Sequence, residues 1–199
     1  MVAIIAAFIL LKPPSAQKIF NQCVKNIVEL KCETQDIGES FGTAEIVSKD
    51  GTLVTNAHVV TYTRLGMSNE FEKYYIRFAS EEDYREAELI KHDINIDIAV
   101  LKIKDTTGIN IKPIKTANSS KVKSGDKVYA VGNASNHGIS MAQGIISIPL
   151  VEIIYDEKAR QVIQCDLTIT EGNSGGALLD ERGRLIGITT FRIKDSNGN

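Results

Sequence analysis

The sequence predicts an all-β fold arranged as two small antiparallel barrels. Short strand-like runs separated by turn signals recur along the whole chain, while helical periodicity is confined to one short segment. A polar stretch near the middle, Lys104–Lys112 (KDTTGINIK), divides the strands into two halves of similar style and comparable length. These observations place a first barrel at residues 17–104, a linker at 105–112 and a second barrel at 113–199.

The elements follow in order. Gln17–Lys25 suits a short helix with Ile19, Phe20, Cys23 and Val24 on one side. Ile27–Cys32 alternates as a strand should. Phe41–Ser48 runs into Lys49-Asp50-Gly51, a turn signal, and Thr52–Thr55 returns as its hairpin partner. Tyr74–Phe78, Glu86–Lys91 and Ile96–Ile103 are the remaining strands of the first half. In the second half, Lys127–Val131, Met141–Ile148, Gln161–Leu167, Ala177–Leu179 and Leu185–Phe191 read as strands. Asp180-Glu181-Arg182-Gly183 reads as a hairpin turn.

Composition narrows the function classes. The chain has 199 residues, 43% hydrophobic and 24% charged, as in an ordinary globular domain. A net charge of −2 and the absence of Trp leave little with which to collect a phosphate backbone or stack bases, so nucleic acid is excluded as the main partner. Three cysteines are too few for a disulfide scaffold; whether Cys23 and Cys32 join stays open. The common metal motifs are missing, and neither metal nor other cofactor is expected. Val2–Leu11 is a continuous apolar run closed by Lys12-Pro13-Pro14. Its ten residues would rise about 15 Å as a helix, half of a bilayer core. Residues 1–16 are therefore read as a signal peptide or part of a membrane anchor, with Ser15-Ala16 as small cleavage residues and an extracytoplasmic destination.

Three segments each place one reactive side chain in an apolar or small-residue setting: Leu53–Val60 around His58, Asn95–Leu101 around Asp97, and Glu171–Leu178 around Ser174. A serine hydroxyl needs a base to become a nucleophile, and its acyl intermediate needs an oxyanion site. Glycines flanking Ser174 allow the tight turn that presents backbone N–H groups to a carbonyl oxygen. Gly172-Asn173-Ser174-Gly175-Gly176 also satisfies the G-x-S-x-G pattern of α/β-hydrolases. That fold orders its triad Ser, acid, His, and no histidine follows Ser174. The order His58, Asp97, Ser174 is instead that of the double-barrel proteases. His92 and His137 sit in polar stretches, as do Asp93 and Asp105, and read as solvated. Asp97 interrupts an apolar run, where a carboxylate needs a partner such as an imidazole N–H.

Thr55–Val60 (TNAHVV), Asp97–Ile103 (DIAVLKI) and Gly172–Leu179 (GNSGGALL) resemble the motifs of HtrA/Deg-type trypsin-like serine proteases, within the chymotrypsin-like fold. The resemblance spans residues 19–191. It implies two six-stranded antiparallel barrels with the active site between them, and endopeptidase activity through an acyl-enzyme without a cofactor. It implies His58 as general base, Asp97 as its orienting acid, Ser174 as nucleophile, and the N–H groups of Gly172 and Ser174 as oxyanion hole. Thr168 matches a position on the floor of the primary specificity pocket. Thr189, Thr190 and Phe191 match the strand that pairs with substrate and walls that pocket, and two threonines with a phenylalanine favour small or medium aliphatic side chains. Polypeptides, unfolded proteins in particular, are the implied substrates; membrane anchoring and a homotrimer are left open. The chain departs from the family at Glu171 and Ala177, where Pro is common, and in Phe41–Ala44. It also stops at Asn199, short of the family's last barrel strand, terminal helix and PDZ domain, so the second barrel is expected to be truncated. A protease-fold module that binds peptides without cleaving them is the alternative.

Overall fold

The computed structural model describes residues 12–155 and 157–191. The expected leader or anchor lies outside these as far as residue 11. Ser15 caps the first helix, its hydroxyl accepting from Lys18 N–H at 3.3 Å, so the expected cleavage residues Ser15-Ala16 form the start of α1 (Ala16–Cys23). No helix among the described residues is long and apolar enough to cross a membrane.

The first half is a closed barrel. Its strands are β1 (Ile27–Thr34), β2 (Gly38–Ile46), β3 (Thr52–Thr55), β6 (Lys73–Phe78), β7 (Arg85–Asp93) and β8 (Ile98–Ile103), joined in the order β1-β2-β3-β8-β7-β6. Closure removes both edges, and every strand pair is antiparallel. The β2–β3 turn forms because Asp50 accepts from both Thr52 N–H and its hydroxyl, and Gly51 takes a positive φ of 81°. Period-two alternation divides β1 and β2 between two environments. Val28, Leu30, Cys32, Ala44 and Ile46 fill the barrel, while Ile27 joins a second apolar cluster with Ile19, Cys23, Tyr129 and Val131, against which Val47 packs.

Two elements depart from the sequence-based expectation here. His58 sits on a single helical turn, α2 (Ala57–Val60), which follows the expected strand Thr52–Thr55. A small hairpin, β4 (Thr61–Arg64) with β5 (Met67–Glu70), projects after it. Its polar strands carry no hydrophobic alternation. The legible signal was the Leu65-Gly66 turn, in which both residues have positive φ.

Among the described residues the second half is an open five-stranded sheet, β11-β10-β9-β12-β13, in line with the truncated second barrel expected from the sequence, and its two outer strands lack a second partner strand. The strands are β9 (Lys127–Gly132), β10 (Ser140–Tyr155), β11 (Lys158–Asp166), β12 (Ala177–Asp180) and β13 (Leu185–Ile188). Residues 115–117 run beside β13, with Leu185 N–H donating to Lys115 and Ala117 N–H to Leu185. β10 continues seven residues beyond the expected end at Ile148, because Pro149 falls where the β10–β11 register shifts and no ladder donor is demanded. β13 ends at Ile188 rather than Phe191. Thr189 N–H donates to Gly176 and its carbonyl accepts from Gly175, which turns the chain toward the serine loop.

The cysteines are all free. Cys23 and Cys32 lie in different clusters, and burial pushes the Cys23 thiol up to about 11 and that of Cys32 higher still.

Candidate active site

The first barrel delivers a histidine and an acid to one end of β3 and β8. α2 leaves β3 with His58 half exposed, its side chain 47% accessible, beside an Asp97 side chain only 5% accessible. His58 Nδ1 lies 2.9 Å from Asp97 Oδ2 and 3.1 Å from Oδ1, and His58 backbone N–H donates to Oδ1 at 3.0 Å. The Thr190 hydroxyl donates to Oδ2 at 2.6 Å. Burial alone would push the Asp97 carboxyl up. The hydrogen bonds from His58 and Thr190 outweigh it and hold the group below its ordinary range. Asp97 itself takes a left-handed backbone, φ 57°, uncommon outside glycine.

The second half delivers Ser174 on a glycine loop. Gly172 and Gly175 have φ of 87° and 80°, and a Cβ on either would collide with backbone: the Asn133 carbonyl oxygen at Gly172, the Thr43 carbonyl oxygen at Gly175. Ser135 N–H holds the Glu171 carbonyl at 2.7 Å, and the Thr43 hydroxyl holds the Gly172 carbonyl at 2.7 Å. With these carbonyls turned inward, the N–H groups of Gly172 and Ser174 donate to no other group among the described residues. The Ser174 hydroxyl donates to the Thr190 carbonyl at 3.1 Å, not to His58.

Thr190 thus touches both the acid and the serine, and the structure brings His58, Asp97, Thr190 and Ser174 into one chain of contacts. Thr189 points inward instead, its hydroxyl donating to the carbonyls of Asn173 and Gly176. The Phe191 ring stacks on Tyr155 with centroids 4.2 Å apart. A cleft of about 940 Å³ adjoins these contacts: Asp97, Thr189, Thr190 and Phe191 are among its lining residues, while neither His58 nor Ser174 lines it.

Thr168 does not form the floor of that cleft. It is exposed, while its neighbours Leu167 and Ile169 line the cavity. Glu171 is exposed. His92 packs against Glu70, Nε2 to Oε1 at 3.0 Å, and His137 is exposed. Asp93 accepts from Asn95 N–H in a local turn. Among the described residues no cluster of His, Cys, Asp and Glu could hold a metal ion.

Sequence reasoning missed three residues at the site. Thr43, fully buried, bonds the serine loop from β2. Asn56 bridges the acid and the serine loop. Arg160 reaches from β11 to the carbonyls of Ile94 and Asn95 at 3.1 and 3.3 Å, placing its guanidinium 3.8 Å from Asp97 Oδ2. Only Asn56 left a trace, as a polar residue in the apolar run Leu53–Val60.

A closed antiparallel barrel facing an open antiparallel sheet, with a His–Asp pair on one and a glycine-flanked serine on the other, defines a chymotrypsin-like architecture. The chain belongs to the trypsin-like peptidase domain family, whose model matches residues 42–188. It is 35% identical over 190 residues to a Buchnera aphidicola (subsp. Baizongia pistaciae) protein named "Probable periplasmic serine endoprotease DegP-like", covering 94% of this chain and 38% of that protein. It is 32% identical over 187 residues to serine endoprotease DegS of Haemophilus influenzae, covering 90% of this chain and 52% of DegS. A solved structure of the HtrA-type protease AlgW with a tripeptide superposes with a TM-score of 0.78 at 30% identity, covering 93% of this chain and 56% of that one. The chain therefore spans between about a third and a half of the curated relatives it matches.

Proposed function

We propose that this chain is the proteolytic domain of an HtrA-type serine endopeptidase, in which Ser174 is the nucleophile, His58 the general base and Asp97 the group that orients it. The observation that carries this reading is the bidentate approach of Asp97 to His58 Nδ1, with Thr190 linking that acid to Ser174. An Nδ1–H bonded to a carboxylate leaves Nε2 as the free base. The Ser174 hydroxyl would rotate from the Thr190 carbonyl toward Nε2, a tightening common when substrate enters. Its oxygen attacks the peptide carbonyl carbon while its proton passes to Nε2. The oxyanion is met by the N–H groups of Gly172 and Ser174. The C–N bond then breaks, and the imidazolium returns the proton to the leaving amine. Water, deprotonated by His58, hydrolyses the acyl-enzyme and frees Ser174.

Polypeptides are the proposed substrates, unfolded ones in particular, in keeping with the relatives' names and the tripeptide bound to AlgW. The word periplasmic in the name of the DegP-like relative supports a place outside the cytoplasm. Anchoring through residues 2–11 and a homotrimer are further readings, tested by membrane extraction and by light scattering. Phe191 and Thr190, with Leu167 and Ile169, would favour aliphatic side chains at the cleaved position.

Hydrolysis of casein by the full chain tests the proposal. Ser174→Ala is expected to lower the rate by on the order of a million-fold. Unchanged hydrolysis in that variant would remove Ser174 from its role. One observation favours the binding-module alternative: the Ser174 hydroxyl is engaged by the Thr190 carbonyl rather than by His58. Peptide binding without turnover in the unmodified chain would decide for it.

A further inference from the structure

The peptide bond that follows Ser174 is gripped at both polar ends by the first barrel. Its carbonyl accepts from Thr43 N–H at 2.9 Å, and its amide, Gly175 N–H, donates to Asn56 Oδ1 at 2.7 Å. The other end of the Asn56 carboxamide is also engaged, Nδ2 donating to the Asp97 carbonyl at 3.0 Å. Asn56 is 2% exposed and precedes α2, two residues before His58. An Asn at this position normally turns its side chain onto the N–H groups of the helix it caps. Here the carboxamide makes no such bond. One planar group therefore bonds the backbone of the acid and the backbone beside the serine, while its own backbone leads into the histidine.

Resting on the triad reading above, we infer that Asn56 is a positioning residue that sets the spacing of Ser174 from the His58–Asp97 pair across the two halves of the fold. The three groups come from separate segments, and Ser174 lies on the half that does not carry the other two. Covalent geometry fixes His58 relative to Asn56, and hydrogen bonds fix the rest. The Asp97 carbonyl belongs to a residue in a left-handed backbone conformation, which persists only when its surroundings hold it. Among the polar contacts there, the Asn56 donor addresses that carbonyl directly. A donor and an acceptor are needed on two separate atoms, a pairing that the Asn carboxamide provides; ionised Asp lacks the donor, Ala lacks both, and Ser carries both on one atom. Thr43 cannot replace it, because Thr43 meets the serine loop and not Asp97.

The energetic asymmetry makes the inference testable. Gly175 N–H has a second acceptor in the Thr189 carbonyl at 2.9 Å, so loss of Asn56 does not strand that donor and the fold should survive. Catalysis is less forgiving, since a displacement of about 1 Å at a reacting group costs roughly a hundredfold in rate.

The experiment compares unmodified chain, Asn56→Ala and Asn56→Asp for kcat and KM on one peptide, at a temperature well below each variant's melting point. Asn56→Ala is expected to lower kcat by about a hundredfold with KM within about threefold, because spacing and not substrate binding is lost. Asn56→Asp keeps the acceptor for Gly175, loses the donor to Asp97 and is expected to fall between the two. A kcat within twofold of the unmodified chain for folded Asn56→Ala would overturn the inference. Should the Ala variant fail to fold, the same result for Asn56→Asp would overturn it. Activity that recovers fully on cooling would also do so, since it would mark a role in stability alone. Ser174→Ala runs alongside: full activity there defeats the triad reading itself, an outcome distinct from a silent Asn56.

Discussion

Glu45 is fully buried, and neither carboxyl oxygen has a hydrogen-bond partner. It lies on β2 between Ala44 and Ile46, which face the barrel interior, so alternation turns it outward toward the cluster shared by the two halves. Its cross-strand neighbours are Ile27 and Val54, neither of which can pair with it. Burial pushes its carboxyl well above the ordinary range. The native chain therefore keeps a proton that the unfolded chain releases near pH 4.3, and wild-type stability falls as pH rises from there. Each pH unit in that interval costs about 1.4 kcal/mol, which gives a ceiling of about 4 kcal/mol at pH 7. Glu45→Met keeps the length of the side chain and removes both the charge and the unpaired oxygens. It should raise the melting temperature at pH 7 by up to roughly 10 °C for a chain of this size. The gain over the unmodified chain should shrink as pH falls through about 4.3, below which the carboxyl is protonated in both states. Thermal unfolding followed by circular dichroism across this range is the assay. A Met variant no more stable at pH 7, or a gain that grows toward acid, would refute the reasoning.

Asp97→Asn should lower kcat by about four orders of magnitude at neutral pH, because the amide no longer selects the Nδ1–H tautomer of His58; steady-state kinetics on a peptide measures it. Arg160→Met removes a nearly buried guanidinium and two hydrogen bonds to the loop before Asp97, and should destabilise the chain by about 2 kcal/mol, read in a melting curve. A peptide-library digest should show cleavage after Val, Ala or Ile. Cleavage mainly after Lys or Arg would require an acid in the cleft and would turn attention to the exposed Glu171.

The chain's own pattern made the His58, Asp97 and Ser174 segments legible, since each sets one polar group among apolar or glycine residues where its presence demands a reason. Strand positions followed from alternation and turn residues, so most of the first barrel was readable. The differences have local causes. The strand expected to end at Ile148 runs on, because Pro149 occupies an irregularity in it. Thr168 is exposed while its neighbours Leu167 and Ile169 line the cleft, a distinction that no periodicity in the segment carries. The roles of Asn56 and Arg160 were not legible, because their partners lie 41, 119 and 66 residues away; the local pattern marks Asn56 only as a polar residue in an apolar run and does not mark Arg160 at all.

The proposed role of Ser174 as the nucleophile activated by His58 is open to direct chemical test: reaction of the full chain with a fluorophosphonate, followed by peptide mapping of the adduct by mass spectrometry. One adduct on Ser174, lost in His58→Ala, is the predicted result; an adduct on another residue, or cleavage of casein by a chain that takes up no probe, would contradict it.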